Sequence, residues 1–307
     1  MHLLNRTFFL LLLFVTSLVS GDIEQHLKKV SNKSGLHTMR NIDFIYLINL
    51  DQRPEKLRCT LEQLRPYGIT PYRFSAVNGW KLSLEAINDV GVKFSPEMEG
   101  GFMATSYPFN GDYKQSHEII HKYGQTYFCH CMSRGAIGIA LSHISILQDA
   151  YDSEYETIWV IEDDVEILKN PRILSDLVDK LDQLVGKGNW DVLYTDRDTR
   201  HSDGSYCTTY YPAKRPDFSG SNDFALKEEI SPDFRQIGAR FGAYSMILRR
   251  SGIRKLLQFF KSHQIYLPYD MDNILPPGIK LFTVIENVVA SLPEAISDNG
   301  APRYFEP

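Results

Sequence analysis

The sequence is poor in cysteine, in excess positive charge and in long apolar runs, and each shortage excludes a class of protein. Four cysteines in 307 residues are too few for a disulfide scaffold, so the hydrophobic core must stabilise the fold. The 33 basic residues are outnumbered by 38 acidic ones, which leaves no positive excess to neutralise a phosphate backbone and disfavours nucleic-acid binding. Beyond the N-terminus, no apolar run is long enough to cross a bilayer.

The composition is that of a folded protein. Hydrophobic residues make up 43% of the chain, and Tyr and Phe contribute 17 residues each. Charged residues amount to 23%, so intrinsic disorder and low-complexity classes are excluded. The length allows one or two domains, and no internal repeat is visible.

The N-terminal segment has the features of a secretory signal. Arg6 precedes an apolar run over residues 8–19, which is short for a bilayer span, and Gly21 suits the small-residue rule for cleavage. A cleaved signal predicts the secretory pathway or the periplasm. An uncleaved signal anchor instead predicts membrane association with a cytoplasmic body, which Lys28 and Lys29 would favour.

The rest of the chain divides into three parts. Residues 22–40 are polar and predict a linker, residues 41–300 predict one domain, and residues 301–307 form a tail. Within the domain, two stretches rich in Gly, Pro and polar residues predict irregular insertions at about 81–127 and 197–233.

Hydrophobic patterning predicts alternating strands and helices throughout the domain. The apolar run 44–50 reads as a buried strand, a helix begins near Pro54, and residues 72–77 form a second strand. The same alternation continues through helix 136–150, strand 157–161, helix 173–184, strand 190–194, strand 243–248, helix 252–260 and strand 281–289. This order is typical of an α/β domain with a mainly parallel sheet.

The strongest local signal is an acidic turn after a hydrophobic strand. Residues 158–161 are apolar and lead directly into Glu162, Asp163 and Asp164. Ligand sites in open α/β sheets lie beyond the carboxyl ends of the strands, and clustered carboxylates suit a hard cation such as Mn²⁺ or Mg²⁺. Such a cation could bridge to a diphosphate. The alternative is a solvated acidic turn without a ligand.

Four blocks of the sequence resemble glycosyltransferase family 25, the lipopolysaccharide and collagen galactosyltransferase type. The first joins residues 45–54 to the turn at 76–79, and the second is residues 134–143. The acidic motif at 160–165 is the third, and residues 242–272 carry the last. The blocks occur in the family's order over most of the chain.

The resemblance implies a GT-A-type nucleotide-sugar-binding fold and a UDP-sugar donor, often UDP-galactose. It also implies metal-assisted transfer with inversion to a saccharide or glycoprotein acceptor. Asp163 and Asp164 are then the expected metal ligands, and Glu162 belongs to the donor site.

The same resemblance suggests further donor-binding residues. Asn49, Asp51 and Arg53 follow the first strand, where they could grip the nucleotide and where Arg53 could offset phosphate charge. An ordinary turn with a surface arginine is the alternative. Ser142 and His143 lie in a predicted helix, so His143 is either a structural histidine or a contact near the donor.

Two aspartates are candidates for the base that deprotonates the acceptor hydroxyl. We expect Asp272 to serve as this base, with Asp270 as the second choice, although either residue could instead cap a helix. Many GT-A enzymes complete the metal shell with a late histidine, but no histidine follows His263. Asp298 or water would then complete the shell.

Two motifs compete with this interpretation. Residues 117–121 read His-Glu-Ile-Ile-His, the zinc-metalloprotease pattern on a helix, but Tyr127 stands where the third metzincin ligand would lie. We expect an exposed helix there without protease activity. Cys129 and Cys131 flank His130, and buried cysteines are favoured over a zinc site because no second ligand pair accompanies them.

Three functions therefore remain open. A glycosyltransferase is favoured, a non-catalytic carbohydrate-binding or adhesion relative is second, and a zinc protease is third. Acceptor specificity is expected to depend on the two irregular insertions, where no motif is readable.

Overall fold

The computed structural model describes residues 23–304 except for 201–202, 208, 210–212 and 294. The predicted signal segment 1–21 lies outside the described residues, and the predicted tail is described only as far as Tyr304. In the part of the chain that is described, no helix is both long and apolar enough to cross a membrane.

Helices and strands alternate along the chain. The helices are α1 (Pro54–Leu64), α2 (Leu84–Val90), α3 (Arg134–Asp152), α4 (Ile173–Val185), α5 (Arg250–His263) and α6 (Tyr269–Asp272). The strands are β1 (Phe44–Asn49), β2 (Tyr72–Ser75), β3 (Val92–Lys93), β4 (Met103–Ser106), β5 (Ser116–Ile119), β6 (Thr126–Cys129), β7 (Thr157–Glu162), β8 (Val165–Ile167), β9 (Val192–Tyr194), β10 (Thr199–Arg200), β11 (Tyr206–Cys207), β12 (Lys227–Glu229), β13 (Phe234–Ile237), β14 (Ser245–Arg249), β15 (Leu281–Val284) and β16 (Val289–Ser291).

A sheet of eight described strands organises the domain. Their order is β12, β13, β15, β9, β14, β7, β1, β2. Strands β1, β2 and β7 pair in parallel, and so do β9 and β15, whereas β13 and β14 run against their neighbours. The predicted α/β fold with a mainly parallel central sheet is confirmed.

Both faces of this sheet are buried, which explains its continuously apolar strands. In β1, Phe44, Tyr46 and Ile48 contact one core, and Ile45 and Leu47 contact the other. Helices α3 and α5 cover the first face, while α1 and α4 cover the second. Because successive side chains of a strand point to opposite faces, an apolar run of this kind requires helices on both sides.

The first predicted insertion contains a second, smaller sheet. Its antiparallel strands lie in the order β3, β6, β4, β5. The His-Glu-Ile-Ile-His motif begins on β5, where His117 lies opposite Thr105 of β4. The predicted helix at 117–121 is therefore wrong, because pairing with β4 outweighs the local helical pattern. His117 and His121 do not share a helical face as the protease motif requires.

The cysteine pair is only half buried. Cys129 is buried at the end of β6, whereas Cys131 is exposed, and both are free thiols. The prediction of buried cysteines thus holds for the first of the two. Within the described residues no group of three or more Cys, His, Asp or Glu side chains could hold a metal ion, which gives a zinc site at 129–131 no support.

Both polar segments contact the domain closely. In the segment predicted as a linker, the Lys28 N–H donates to Ser145 Oγ at 2.9 Å, and Lys33 pairs with Asp149 at 2.6 Å. In the second predicted insertion, Arg215 is 3% exposed. The predicted linker and the predicted insertion therefore both contain side chains that contact the rest of the domain, Arg215 through Asp272.

Two glycines allow helix α3 to approach the loop after β2. A Cβ atom on Gly138 would lie 2.5 Å from the Gly79 nitrogen and 2.6 Å from the Val77 oxygen. A Cβ atom on Gly79 would lie 1.8 Å from the Arg134 oxygen. Backbone therefore packs on backbone here, and this contact fixes the loop beside the carboxyl end of β1.

We expect Gly138→Ala to destabilise the protein. Alanine in a helix gains about 0.5–1 kcal/mol over glycine, but overpacking against fixed backbone costs about 1–3 kcal/mol, so the clash outweighs the gain. Chemical denaturation should show a loss of about 1 kcal/mol or more. Gly188→Ala is the control, because a Cβ there meets nothing within 4 Å. Equal stability of both variants would contradict this packing.

Candidate functional site

A cleft opens at the carboxyl ends of β1 and β7. Its polar lining comes from the end of β1, the first turn of α1, the loop after β2, the acidic turn, helix α3 and the C-terminal segment. These residues are Asn49, Lys56, Asn78, Ser142, Glu162, Asp163, Asp164, Ser297, Asp298 and Asn299. Open α/β sheets bind ligands at this edge.

The acidic turn between β7 and β8 is desolvated. Burial raises the pKa of Asp163 to about 6, although a hydrogen bond from Asn49 opposes the shift. Burial raises the pKa of Asp164 to about 7, and the nearby Glu162 carboxylate adds to this effect. Carboxyls that titrate near neutrality are surrounded by too little water or positive charge to stabilise the ionised form.

Asn49 connects the first strand to this turn. Its Nδ2 donates to Asp163 Oδ2 at 2.6 Å and to the Arg53 carbonyl at 2.9 Å. Its Oδ1 accepts a hydrogen bond from Arg73 Nε at 2.9 Å. Asn49 is 1% exposed. It therefore lines the cleft and also holds the Asp163 carboxylate in place.

Whether a divalent cation can bind at the acidic turn depends on the carboxylate oxygens that the turn offers. No complete ligand cage of three side chains converges among the described residues. Mg²⁺ is commonly held by one or two carboxylates and completed by water and substrate phosphates. Asp163 and Asp164, two desolvated carboxylates beside Glu162, fit that arrangement. The site thus suits a cation that shares its shell with a phosphate.

Arg53 and Asp298 form a buried ion pair with each other. Arg53 Nη1 donates to both carboxylate oxygens of Asp298 at 2.8 Å, and its Nε donates to Glu55 at 2.5 Å. Asp298 also accepts from the Arg303 N–H at 2.8 Å. Asp298 therefore lies at the cleft as expected, but its oxygens are engaged. Arg53 is 8% exposed and is not among the lining residues, so this geometry does not support phosphate binding by Arg53.

Asp51 does not line the cleft. Its side chain is 56% exposed and pairs with Arg73 at 2.6 Å. It also accepts a hydrogen bond from Ser75 Oγ at 2.8 Å. Asp51 is thus joined to Asn49 through Arg73, but it is not among the residues that line the cleft.

Ser142 and His143 occupy the same turn of α3 but have different partners. Ser142 Oγ accepts from the Val77 N–H at 2.8 Å and so supports the loop that lines the cleft. His143 is 1% exposed, and its Nε2 lies 2.8 Å from Glu162 Oε1. The His143 ring stacks on Tyr269 with centroids 4.0 Å apart. His143 thus reaches the cleft through Glu162 rather than directly.

A second cleft adjoins the first, and Glu162 lines both. Besides Glu162, the second cleft is lined by Gly242, Tyr244, Pro268, Tyr269 and Asp270. Asp270 Oδ2 accepts a hydrogen bond from the Gly242 N–H at 2.7 Å. Burial raises the pKa of Asp270, and the Glu162 charge opposes its ionisation further.

Asp272, our first choice for the base, does not reach either cleft. It is 0% exposed, and Oδ1 pairs with Arg215 at 2.5 Å. Its Oδ2 accepts from the N–H groups of Tyr266 at 3.1 Å and Leu267 at 3.0 Å. Asp270 and Asp272 lie two residues apart on a short helix and therefore point in different directions. Asp270 thus lines a cleft, whereas Asp272 is buried beside Arg215.

Sequence reasoning missed Lys56. Its side chain is 14% exposed and lies at the cleft, 3.9 Å from Asp163 Oδ1 and 4.0 Å from Asp298 Oδ2. The signal was present, because Lys56 falls in the first turn of the helix that follows β1. From the sequence alone, the phosphate contact is assigned to the nearby Arg53 instead.

Comparison with known proteins supports the resemblance. The family described as "Glycosyltransferase family 25 (LPS biosynthesis protein)" matches residues 42–274. A "Glycosyltransferase 25 family member" of Aedes aegypti is 28% identical over 156 residues, 51% of this chain and 21% of that protein. "Inactive glycosyltransferase 25 family member 3" of Homo sapiens is 26% identical over 186 residues, 60% of this chain and 27% of the relative.

A further human relative is named "Procollagen galactosyltransferase 2". It is 26% identical over 156 residues, which is 50% of this chain and 21% of that protein. The chain thus spans 21 to 27% of the length of these curated relatives. The family match itself runs from the start of the central sheet to just beyond Asp272, and we conclude that this chain belongs to glycosyltransferase family 25.

Proposed function

We propose that this chain is a glycosyltransferase that moves a hexose from a UDP-sugar to a hydroxyl of a saccharide or glycoprotein. The observation that carries the proposal is the pair of clefts that meet at Glu162. One cleft holds the acidic turn and Lys56, and the other holds Asp270. Galactose as the sugar and inversion at its anomeric carbon follow from the family resemblance.

The first cleft supplies what the donor requires. Asp163 and Asp164 would hold Mn²⁺ or Mg²⁺ together with diphosphate oxygens. When bound, such a cation stabilises the negative charge of the departing diphosphate. Asn49 orients Asp163 through its 2.6 Å hydrogen bond, so the turn is positioned before a ligand arrives.

The second cleft supplies a base for the acceptor. In-line displacement places the attacking hydroxyl on the side opposite the leaving group, and Asp270 lines the second cleft, which meets the first at Glu162. The Gly242 N–H fixes one carboxylate oxygen at 2.7 Å. Burial raises the pKa of Asp270, which makes its carboxylate a stronger base than an exposed aspartate.

Glu162 lies where donor and acceptor would meet. Its Oε1 contacts His143 Nε2 at 2.8 Å, and the His143 ring is held by the stack with Tyr269. This support restricts the Glu162 side chain, so it can accept hydrogen bonds from sugar hydroxyls in a defined orientation. We assign His143 the role of positioning Glu162.

A non-catalytic saccharide-binding protein is the second candidate. It is favoured by the human relative named as inactive, which matches 60% of this chain. Such a protein would keep the clefts and bind the saccharide without transferring sugar. Detection of transfer separates the two candidates.

Asp163→Asn should weaken UDP binding in the presence of Mn²⁺. The substitution removes a charged ligand, so we expect a loss of at least about tenfold, consistent with a charged contact worth about 1.5–3 kcal/mol. Calorimetric titration with UDP, in Mn²⁺ and in EDTA, measures the effect. Asp152→Asn, at the exposed end of α3, is the control. Wild-type protein that binds no UDP in either condition would contradict the proposed donor.

Asp270→Asn should keep UDP affinity and lose transfer. Removal of a general base typically costs about 10²- to 10⁴-fold in rate. Product formation with UDP-galactose and a range of saccharide acceptors measures kcat. Because a raised pKa keeps the base protonated at low pH, the wild-type rate should fall as pH drops through a value above the ordinary range of aspartate. Wild-type kcat in Asp270→Asn would remove this residue as the base.

Asp272→Asn is the companion variant with a different expected defect. It removes one of the two carboxylates that pair with the buried Arg215, while Asp217 remains at 3.0 Å. Breaking a buried ion pair costs up to about 3–5 kcal/mol. Thermal and denaturant unfolding should therefore show a large loss of stability. If Asp272→Asn were as stable as wild type yet inactive, the assignment of the two aspartates would have to be reversed.

A further inference from the structure

The first cleft, which is the proposed donor cleft, contains a lysine in an unfavourable position for a cation. Lys56 is the third residue of α1, after Pro54 and Glu55. The N-terminal turn of a helix carries partial positive charge, which disfavours an ammonium group nearby. Its side chain is nevertheless only 14% exposed and lines the cleft beside the acidic turn.

The Lys56 ammonium has neighbouring charges without hydrogen bonds. Asp163 Oδ1 lies at 3.9 Å and Asp298 Oδ2 at 4.0 Å, both beyond hydrogen-bonding distance. Among the described residues, no other acceptor forms a hydrogen bond with Nζ. An ammonium has three donors, and leaving them unpaired in a largely buried place is costly. The position therefore suits an acceptor that arrives with a ligand.

The neighbouring arginine cannot take this role in the same geometry. Arg53 is engaged by Asp298 and Glu55. Of the described residues that line the donor cleft, Lys56 is the one cation, whereas Glu162, Asp163, Asp164 and Asp298 are acidic. A diphosphate that enters this cleft would meet strong repulsion unless Lys56 and a metal ion both offset its charge.

We propose that Lys56 donates hydrogen bonds to the diphosphate of the donor and thereby makes the cleft select diphosphates over uncharged nucleosides. This proposal rests on the proposed function, because it places the leaving group of that reaction at Lys56. The contact sets affinity for the leaving group and stabilises the charge that develops on it.

Lys56 and the metal site are coupled through this anion. The ammonium lies 3.9 Å from an oxygen of Asp163, which is itself a candidate metal ligand. A cation held there without an anion would repel Lys56, whereas a diphosphate bound to both removes that repulsion. Diphosphate should therefore raise the affinity for Mn²⁺ more in wild type than in a Lys56 variant.

The test compares Lys56→Met and Lys56→Arg with the wild type. Uridine, UMP, UDP and inorganic pyrophosphate are titrated in Mn²⁺ and in EDTA. We expect Lys56→Met to weaken UDP and pyrophosphate binding by roughly 10- to 100-fold and to leave uridine binding within about twofold. Lys56→Arg should restore much of the loss, since it keeps the charge and the donors.

Arg58→Met is the matched control, because Arg58 is on the same helix and exposed. It should leave all four affinities unchanged. A merely structural Lys56 would weaken uridine and UDP equally and lower the unfolding temperature, and that result overturns the proposal. Unchanged UDP affinity in Lys56→Met overturns it as well.

Pyrophosphate separates this proposal from the proposed donor. Suppose that wild type binds pyrophosphate through Lys56 but binds UDP no more tightly than pyrophosphate. The proposal of a uridine nucleotide as donor then fails, and the proposal that Lys56 binds diphosphate stands. If UDP binds and Lys56→Met has no effect, the proposed donor stands and Lys56 fails. If neither ligand binds, both are overturned.

Discussion

The structure depends on the need to balance negative charge at one edge of a buried sheet. Strand β7 ends in Glu162, Asp163 and Asp164, and burial raises the pKa of both aspartates toward neutrality. Surrounding elements each contribute part of the balance. Asn49 donates to Asp163, His143 contacts Glu162, and Lys56 brings a positive charge from α1. The negative charge that remains uncompensated is what a bound cation would offset.

Much of the fold could be predicted from the sequence because its signals are local. An apolar run such as 44–50 has to be covered on both faces, and alternating helices provide that cover. The acidic turn was also readable, since three carboxylates directly follow a buried strand. These features depend on neighbours in the chain and need no knowledge of long-range contacts.

The sequence was least informative where distant residues decide the surroundings of a side chain. Asp272 was preferred over Asp270 because nothing local reveals that Arg215, 57 positions away, pairs with it. Arg53 looked free to bind phosphate, because its partner Asp298 lies 245 positions further along the chain and the pairing is not visible in the sequence. The motif at 117–121 became a strand through pairing with β4. Each partner is fixed only when the chain folds.

The most direct test of the central claim is anomalous diffraction at the manganese edge from crystals grown with UDP and Mn²⁺. The account predicts one manganese peak bound by Asp163 or Asp164 at about 2.2 Å and by diphosphate oxygens. It also predicts Lys56 Nζ within about 3 Å of a phosphoryl oxygen. UDP bound away from the acidic turn, or manganese without contact to either aspartate, would contradict it.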